Sequence, residues 1–453
     1  MPAALLDRSA PPPAGKIRPF HFPPFLRRRL PNGLEVLAAR QAGVPLVSLE
    51  LVVPAGGQHD PAGQAGLATL TASVIDEGTQ RRSAMEVAAD VERLGGYLTT
   101  GADWDEGYLG TGLLARDRQA GIELLAEVLG EPTFPEEEIE RLRRQRLGEI
   151  LRRSQDPSIL ADEKLSQAIY QGTPYANPLI GTAETVEALD RESLMGFYRR
   201  HYTLRGAALI AVGDLDPEEI LRAAETAFGG RDAAAPAAPE ILPAPLDGIS
   251  IHVVDRAGAS QTELRLGHAG VSRRDPDYIP LVVLNSLLGG QFTSRINMNL
   301  RERHGYTYGA SSRFVARLQP GPFIIDAAVS TEAAGAAARE VLAELRRIRE
   351  EVVAADEMEE TRSYILGVFP YTFQTIGDFA KRLETLALHG LPNDYYDTYQ
   401  QRLAAMRREE ILEVARRHLH PERIAVVAVG PADALVPQFE GLGTVTVWPR
   451  QGD

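Results

Sequence analysis

The chain is 453 residues long, too long for one ordinary hydrophobic core, so at least two domains are expected. Its 62 acidic and 48 basic residues give a formal net charge of −14, which repels phosphate backbones and argues against a nucleic-acid partner. It has no cysteine, which excludes disulfides, thiol nucleophiles and Cys-ligated metal, and its 44% hydrophobic and 24% charged residues are those of a globular protein.

Residues 1–25 are rich in Pro and Ala and read as a loosely held N-terminal arm. Asp7 and the prolines break any apolar run there, so neither a signal peptide nor a membrane span is read. The sequence as given implies a cytoplasmic protein, or a periplasmic one if a signal has been removed. "LEVLAAR" and "LVSLELVVPAG" read as strands, and "AGLATLTASVIDEG" as a helix stopped by Gly78. "SAMEVAADVERLGG" reads as an amphipathic helix with Ser83 as N-cap, Glu86 at N3 and Gly95 at its end. "YLTTGADWDEGYLGTGLL" follows as a strand pair, then long helices over 117–129 and 135–154.

"RDAAAPAAPEILPAPLDG", residues 231–248, has the composition of a semi-rigid linker. It separates an N-terminal domain, 26–230, from a C-terminal domain, 249–453. The two close alike, with "RRHYTLRGAALIAVGDL" and "RRHLHPERIAVVAVGPA", each a helix running into a buried strand that ends at Gly. Two matches at one offset, with a linker between them, indicate a duplicated domain. The expected class is α+β: two homologous domains, each an antiparallel or mixed sheet covered by helices on one side.

Three short motifs carry less than they suggest. "GTGLLA", 110–115, fits a dinucleotide fingerprint but lacks an evident βαβ context. "RLRRQRLGEILRR", 141–153, follows "EEEIE" at helical spacing, which makes it a solvated, ion-paired face. "HLH", 418–420, has a central Leu between its two histidines and reads as structural.

In order, "LPNGLEVLAAR", "GLATLTASVIDEGT", "FPEEEIERLRRQRLGEIL", "GTPYANPLIGTAETVEAL" and "LLGGQFTSRINMNLRERHGYTYGASS" resemble blocks of the pitrilysin/insulinase metallopeptidase family, on its processing-peptidase branch. The resemblance covers roughly residues 25–447. It implies two α/β-roll domains forming a clamshell around an extended peptide. In active members the first helix carries H-x-x-E-H, in which two His bind zinc and the Glu is general base. Here that pattern falls on Thr69, Ala72 and Ser73, and the distant third ligand on Glu149. Alanine has no donor, and hydroxyls are poor zinc ligands, so no metal is expected in this chain. As an ordinary helical residue, Glu149 is either solvated or paired to a neighbouring Arg.

The resemblance also implies an Arg and a Tyr that reach peptide near the zinc, at Arg295 and Tyr308. Arg can donate two hydrogen bonds to a peptide carbonyl, and Tyr can donate to a developing oxyanion. By residue type alone, Arg295 merely starts a helix and Tyr308 packs in the following strand. Leu98, Thr99, Thr100 and Gly101 match the family's peptide-accepting edge strand, or form an ordinary edge kept short and polar. The implied function is the zinc-free subunit of a heterodimeric metalloendopeptidase, inactive alone. It would bind peptides or unfolded segments and complete the site of a homologous zinc-bearing partner. A structural or assembly subunit without peptidase role is the alternative.

Overall fold

The computed structural model describes residues 20–230 and 239–449. The first half contains strands β1 (Leu26–Arg29), β2 (Glu35–Arg40) and β3 (Leu46–Val53), then helices α1 (Leu67–Val74) and α2 (Ala84–Arg93). The hairpin β4 (Tyr97–Ala102) and β5 (Gly107–Leu114) follows, with α3 (Arg118–Gly130), α4 (Glu136–Ser154) and α5 (Pro157–Tyr170). It ends with α6 (Ala183–Ala188), α7 (Arg191–His201), β6 (Ala208–Gly213) and α8 (Pro217–Phe228). The second half contains β7 (Ser250–Asp255), β8 (Gln261–Ala269), α9 (Tyr278–Asn285), α10 (Arg295–Asn297), β9 (Thr307–Phe314) and β10 (Pro322–Ser330). After these come α11 (Ala334–Glu350), α12 (Ala355–Val368), α13 (Ile376–Leu388), α14 (Tyr395–Ala405) and α15 (Arg408–His418). The last elements are β11 (Ala425–Gly430), α16 (Ala432–Leu435) and β12 (Thr444–Trp448).

The strands form two six-stranded mixed sheets, ordered β1-β2-β6-β3-β5-β4 and β12-β7-β11-β8-β10-β9. From β2 onward the first sheet matches the second from β7 onward in order and strand direction, as the duplicated endings imply. They part only at one edge, where β1 is antiparallel to β2 but β12 is parallel to β7. The predicted capping box is present: Ser83 caps α2, Glu86 reaches back, and Gly95 follows at φ +65°. "GTGLLA" lies in β5, antiparallel to both neighbours, which removes the dinucleotide reading.

Strands β6 and β11 are buried at every residue, as apolar runs in doubly covered strands are. Gly213 ends β6 at φ +151°, where a Cβ would lie 2.2 Å from the Leu46 carbonyl oxygen, so only glycine fits. The expectation of helices on one side describes each half's own helices. The second face of each sheet is covered by the opposite half: α5 lies on β8 and β11, and α13 on β3 and β6. Leu165 and Ile169 of α5, like Phe379 and Leu383 of α13, are at most 2% exposed. Burying each such side chain stabilises by about 2 kcal/mol. Opening the clamshell within this chain would have to lift both helices off their sheets.

The arm also differs from expectation where it is described. Phe20 stacks on Phe373 at 5.1 Å, and Phe22 sits 5.3 Å from Phe379 and 4.8 Å from Tyr396 (ring centroids). Residues 20–25 are therefore anchored on the second half by aromatic packing. Residues 1–19, and 231–238 of the linker, lie outside the described residues.

The junction between halves holds an unbalanced set of charges. Glu106 precedes β5, Glu50 lies on β3, and both face Glu384 and Lys381 of α13. Lys381 donates to Glu384 at 2.5 Å and lies 3.9 Å from Glu106. Burial, and then the Glu384 carboxylate, push Glu106 up to about 9 and Glu50 to about 7.

Candidate functional site

Helices α1 and α4 bring together three of the four degenerate motif positions. The group that gathers them is Arg146. Its Nη1 donates to Thr69 Oγ1 at 2.7 Å, its Nη2 to Ser73 Oγ at 3.1 Å, and its Nε lies 3.7 Å from Glu149 Oε2. The hydroxyls' own protons are engaged elsewhere: Thr69 can donate to Gly66 O (3.1 Å) or Leu179 O (3.2 Å), and Ser73 donates to Thr69 O (2.9 Å). Ala72, the position of the general base, is buried without a polar atom. Burial lowers the Arg146 pKa and Glu149 opposes that shift, yet a guanidinium remains charged.

A zinc ion does not fit this donor set. Two neutral hydroxyls and one carboxylate are a poor substitute for imidazoles, and a dication would have to displace a buried monocation. Arg146 was hidden in a run read as a solvated face. That reading holds for Arg141, which pairs with Glu138 at 2.6 Å, whereas Arg143 pairs with Glu140 at 3.0 Å but also donates to Val186 O at 2.8 Å and is only 12% exposed. Arg146 instead continues the inward stripe of Ile139 and Leu142, at i, i+3, i+7, and that spacing could have revealed it.

In the second half, Arg295 begins α10 and Tyr308 lies on the sheet-edge strand β9. Arg295 is bound in a bidentate pair, Nε and Nη2 each donating to Glu357 of α12 at 2.7 Å. Its Nη1 is buried and has no hydrogen-bond partner. Tyr308 is 90% exposed. The β9–β10 ladder slips between Ala327 and Val329, which places Tyr308 and Gly309 opposite Ala328, a bulge of the kind that re-aims a side chain. Asn297 ties the two elements together, its Oδ1 accepting from Ala310 N at 3.0 Å. The structure thus joins the elements, while the Arg295 side chain is directed to Glu357, a partner not anticipated from the sequence.

Strand β4, with Leu98, Thr99, Thr100 and Gly101, is a sheet edge and pairs among the described residues only with β5. Helix α1 lies beside it, and Thr100 donates to Asp76 at 3.1 Å. Burial raises Asp76 to about 6. A Cβ at Gly101 would meet the Tyr108 hydroxyl at 2.3 Å, so this glycine has a packing role whether or not the edge accepts peptide.

"HLH" has acidic neighbours in space that lie far from it in sequence. His418 Nε2 lies 2.8 Å from Asp277, and Asp275 is close enough to complete a metal-sized cluster. Arg417 sits on the same Asp277 oxygen at 3.1 Å, so the carboxylate is already balanced by a cation. Among the described residues no helix is long and apolar enough to cross a membrane.

Two family models match the chain. One, described as Insulinase (Peptidase family M16), spans residues 35–183, and the other, Peptidase M16 inactive domain, spans 188–365. An uncharacterized zinc protease of Rickettsia bellii is 25% identical over 338 residues, covering 74% of this chain and 81% of the relative. A probable mitochondrial-processing peptidase subunit beta of Arabidopsis thaliana is 22% identical over 439 residues, 93% of this chain and 81% of the relative. Among solved structures, a peptidase M16 inactive domain from Pseudomonas fluorescens matches with TM-score 0.84 and 25% identity, over 90% of this chain and 98% of that one. A protease from Helicobacter pylori shares the fold, with TM-score 0.85 and 19% identity over 91% of this chain and 100% of the other.

Proposed function

The chain belongs to peptidase family M16, and from that premise we propose that it is the zinc-free subunit of a heterodimeric metalloendopeptidase. It binds peptides or unfolded segments, holds no zinc of its own, and completes the site of a homologous zinc-bearing partner. The observation that carries this reading is Arg146, whose guanidinium is bonded to Thr69 and Ser73 and faces Glu149, the positions where active relatives of the motif hold metal. Tyr308 supports it, because its exposed hydroxyl is available to donate to an oxyanion in a partner's site. Arg295 contributes a carbonyl contact by exchanging Glu357 for peptide, or by using the Nη1 that has no partner.

One observation favours the structural-subunit alternative: the bidentate Arg295–Glu357 pair is complete without any peptide. A single preparation separates the readings. Elemental analysis after dialysis should give no stoichiometric zinc, and a quenched peptide should stay intact until a chain carrying H-x-x-E-H is added. In the assembled complex, Tyr308→Phe should lower kcat by about a hundredfold with assembly unchanged. Wild-type kcat in that variant would support the scaffold, and one equivalent of zinc with chelator-sensitive cleavage by this chain alone would end the proposal.

A further inference from the structure

A cavity of about 490 Å³ lies between the halves, at the carboxyl ends of β7, β11 and β12. These strands are mutually parallel, and the crevice outside the carboxyl ends of parallel strands is where open α/β sheets recurrently bind ligands. The opposite wall is α5 with the 176–182 segment of the first half. The volume suits a small organic molecule.

Two cations line it, one from each half: Lys164 of α5, and Arg256 just beyond β7. Neither has a carboxylate partner among the described residues. Lys164 is positioned nonetheless, with Nζ 2.9 Å from the Trp448 ring centroid and donating to Gln167 at 2.8 Å. Burial lowers its pKa to about 8, which leaves it charged at neutral pH. The acidic side chains of the wall are engaged: Glu163 pairs with Arg153 at 3.3 Å, and Asp255 accepts from Ala432 N at 2.9 Å. Leu160, Val254 and Trp448 supply apolar surface.

We propose that this cavity binds a small organic carboxylate, its anionic group held between Lys164 and Arg256 and its apolar body against Trp448 and Leu160. Because the cations come from different halves, occupancy ties α5 to the second sheet and stabilises the docked arrangement. The site is separate from the Arg146 and Arg295 corners and stands whether or not the proposed heterodimer does.

The chain has only two tryptophans, so Trp104→Phe leaves Trp448 as the sole tryptophan reporter, excited selectively over the tyrosines, and calorimetry on the unsubstituted chain checks it independently. Titration with phenylacetate and with citrate should show saturable binding of at least one of them, accompanied by a rise in the unfolding midpoint. Arg256→Gln and Lys164→Gln should each weaken binding roughly tenfold or more, the loss expected for one charge-assisted hydrogen bond. Arg256→Gln should keep the ligand-free unfolding midpoint of the parent, and Lys164→Gln should lower it only by the loss of the Trp448 contact. No saturable signal with either carboxylate up to about 10 mM would overturn the assignment. So would parental affinity in either variant, or binding of inorganic phosphate but neither carboxylate.

Discussion

In the first half a buried guanidinium, Arg146, is shared among Thr69, Ser73 and Glu149; in the second, the equally buried Arg295 faces the single carboxylate Glu357 and keeps one Nη1 without a partner. Their surroundings differ in the same sense. Helix α1 is buried at every residue but Ser73, whereas beside Arg295 the chain exposes Phe292 by 60% and Tyr308 by 90%. A corner that has lost its metal ligands has closed on an internal cation. The other corner keeps donors and aromatic surface that its own fold does not use up. Chemistry toward an outside molecule is therefore expected at the second corner, and stability at the first.

The largest expected effect tests that division directly. Arg146→Met removes a cation from one carboxylate and also strips the donor from two hydroxyls, Thr69 and Ser73. A destabilisation of about 3 kcal/mol is expected, below the upper range for a broken buried pair because Glu149 remains partly in contact with water. Arg295→Met unpairs Glu357, which is also partly hydrated, and removes the weaker attraction to Glu344 and Glu351, so it should destabilise by about 1–2 kcal/mol. Denaturant midpoints at unchanged m-value would measure both. If the Arg295 variant proved the weaker protein, the contrast between a structural and a functional arginine would fail.

That contrast shows where sequence reasoning reached and where it stopped. Local chemistry was legible: the Ser83–Glu86 box, the β4–β5 pair and the buried β6 and β11 runs depend on neighbours within a few residues. The degenerate positions Thr69, Ala72 and Ser73 were also legible, because their meaning lies in what they cannot ligate. Their occupant was not, since Arg146 sits in a run of arginines of which Arg141 pairs in solvent and Arg143 turns to the Val186 carbonyl, and residue type alone does not tell them apart. Glu357 and Glu384 meet their partners across long separations, and no local pattern marks a carboxylate bound for burial. The second-face helices α5 and α13 are not legible within either half, because each covers the sheet of the other half. The phenylalanines of "PFHFPPF" were likewise grouped with a Pro-rich arm.

The junction between the halves reverses the logic of Arg146: several carboxylates face one lysine. Glu106 is raised to about 9 in the fold against an ordinary 4.5. A raised carboxyl contributes stability that is fully present below about 4.5 and is lost as pH rises toward the folded value. Asp76 loses its share near 6 and Glu50 and Asp60 theirs through 7, which leaves pH 7–8 as the window belonging chiefly to Glu106, because from about 8 upward the lowered Lys164 makes stability rise with pH and opposes it. Wild-type stability should fall there, by up to about 1.4 kcal/mol per pH unit for one proton. Glu106→Gln mimics the protonated group and can still donate to Glu384, so it should flatten the fall. Parallel slopes for the two proteins between pH 7 and 8 would show that Glu106 ionises freely and that the junction is not proton-dependent.

The smallest expected effect compares two hydroxyls. Thr69 Oγ1 accepts from Arg146 and is part of a residue only 6% exposed. Thr69→Val keeps the shape and leaves a buried guanidinium N–H without its acceptor, which should destabilise by about 1–2 kcal/mol. Tyr308 projects into solvent from the edge strand β9. Tyr308→Phe should leave stability within about 0.5 kcal/mol of the parent, because an exposed hydroxyl exchanges one water contact for another. That near-zero value makes the functional comparison interpretable: a loss of kcat in an assembled complex could not then be ascribed to a weakened subunit. Were Tyr308→Phe to destabilise the chain as much as Thr69→Val, the hydroxyl would already have an internal partner in solution, and its availability to a peptide would be lost with the contrast between the corners.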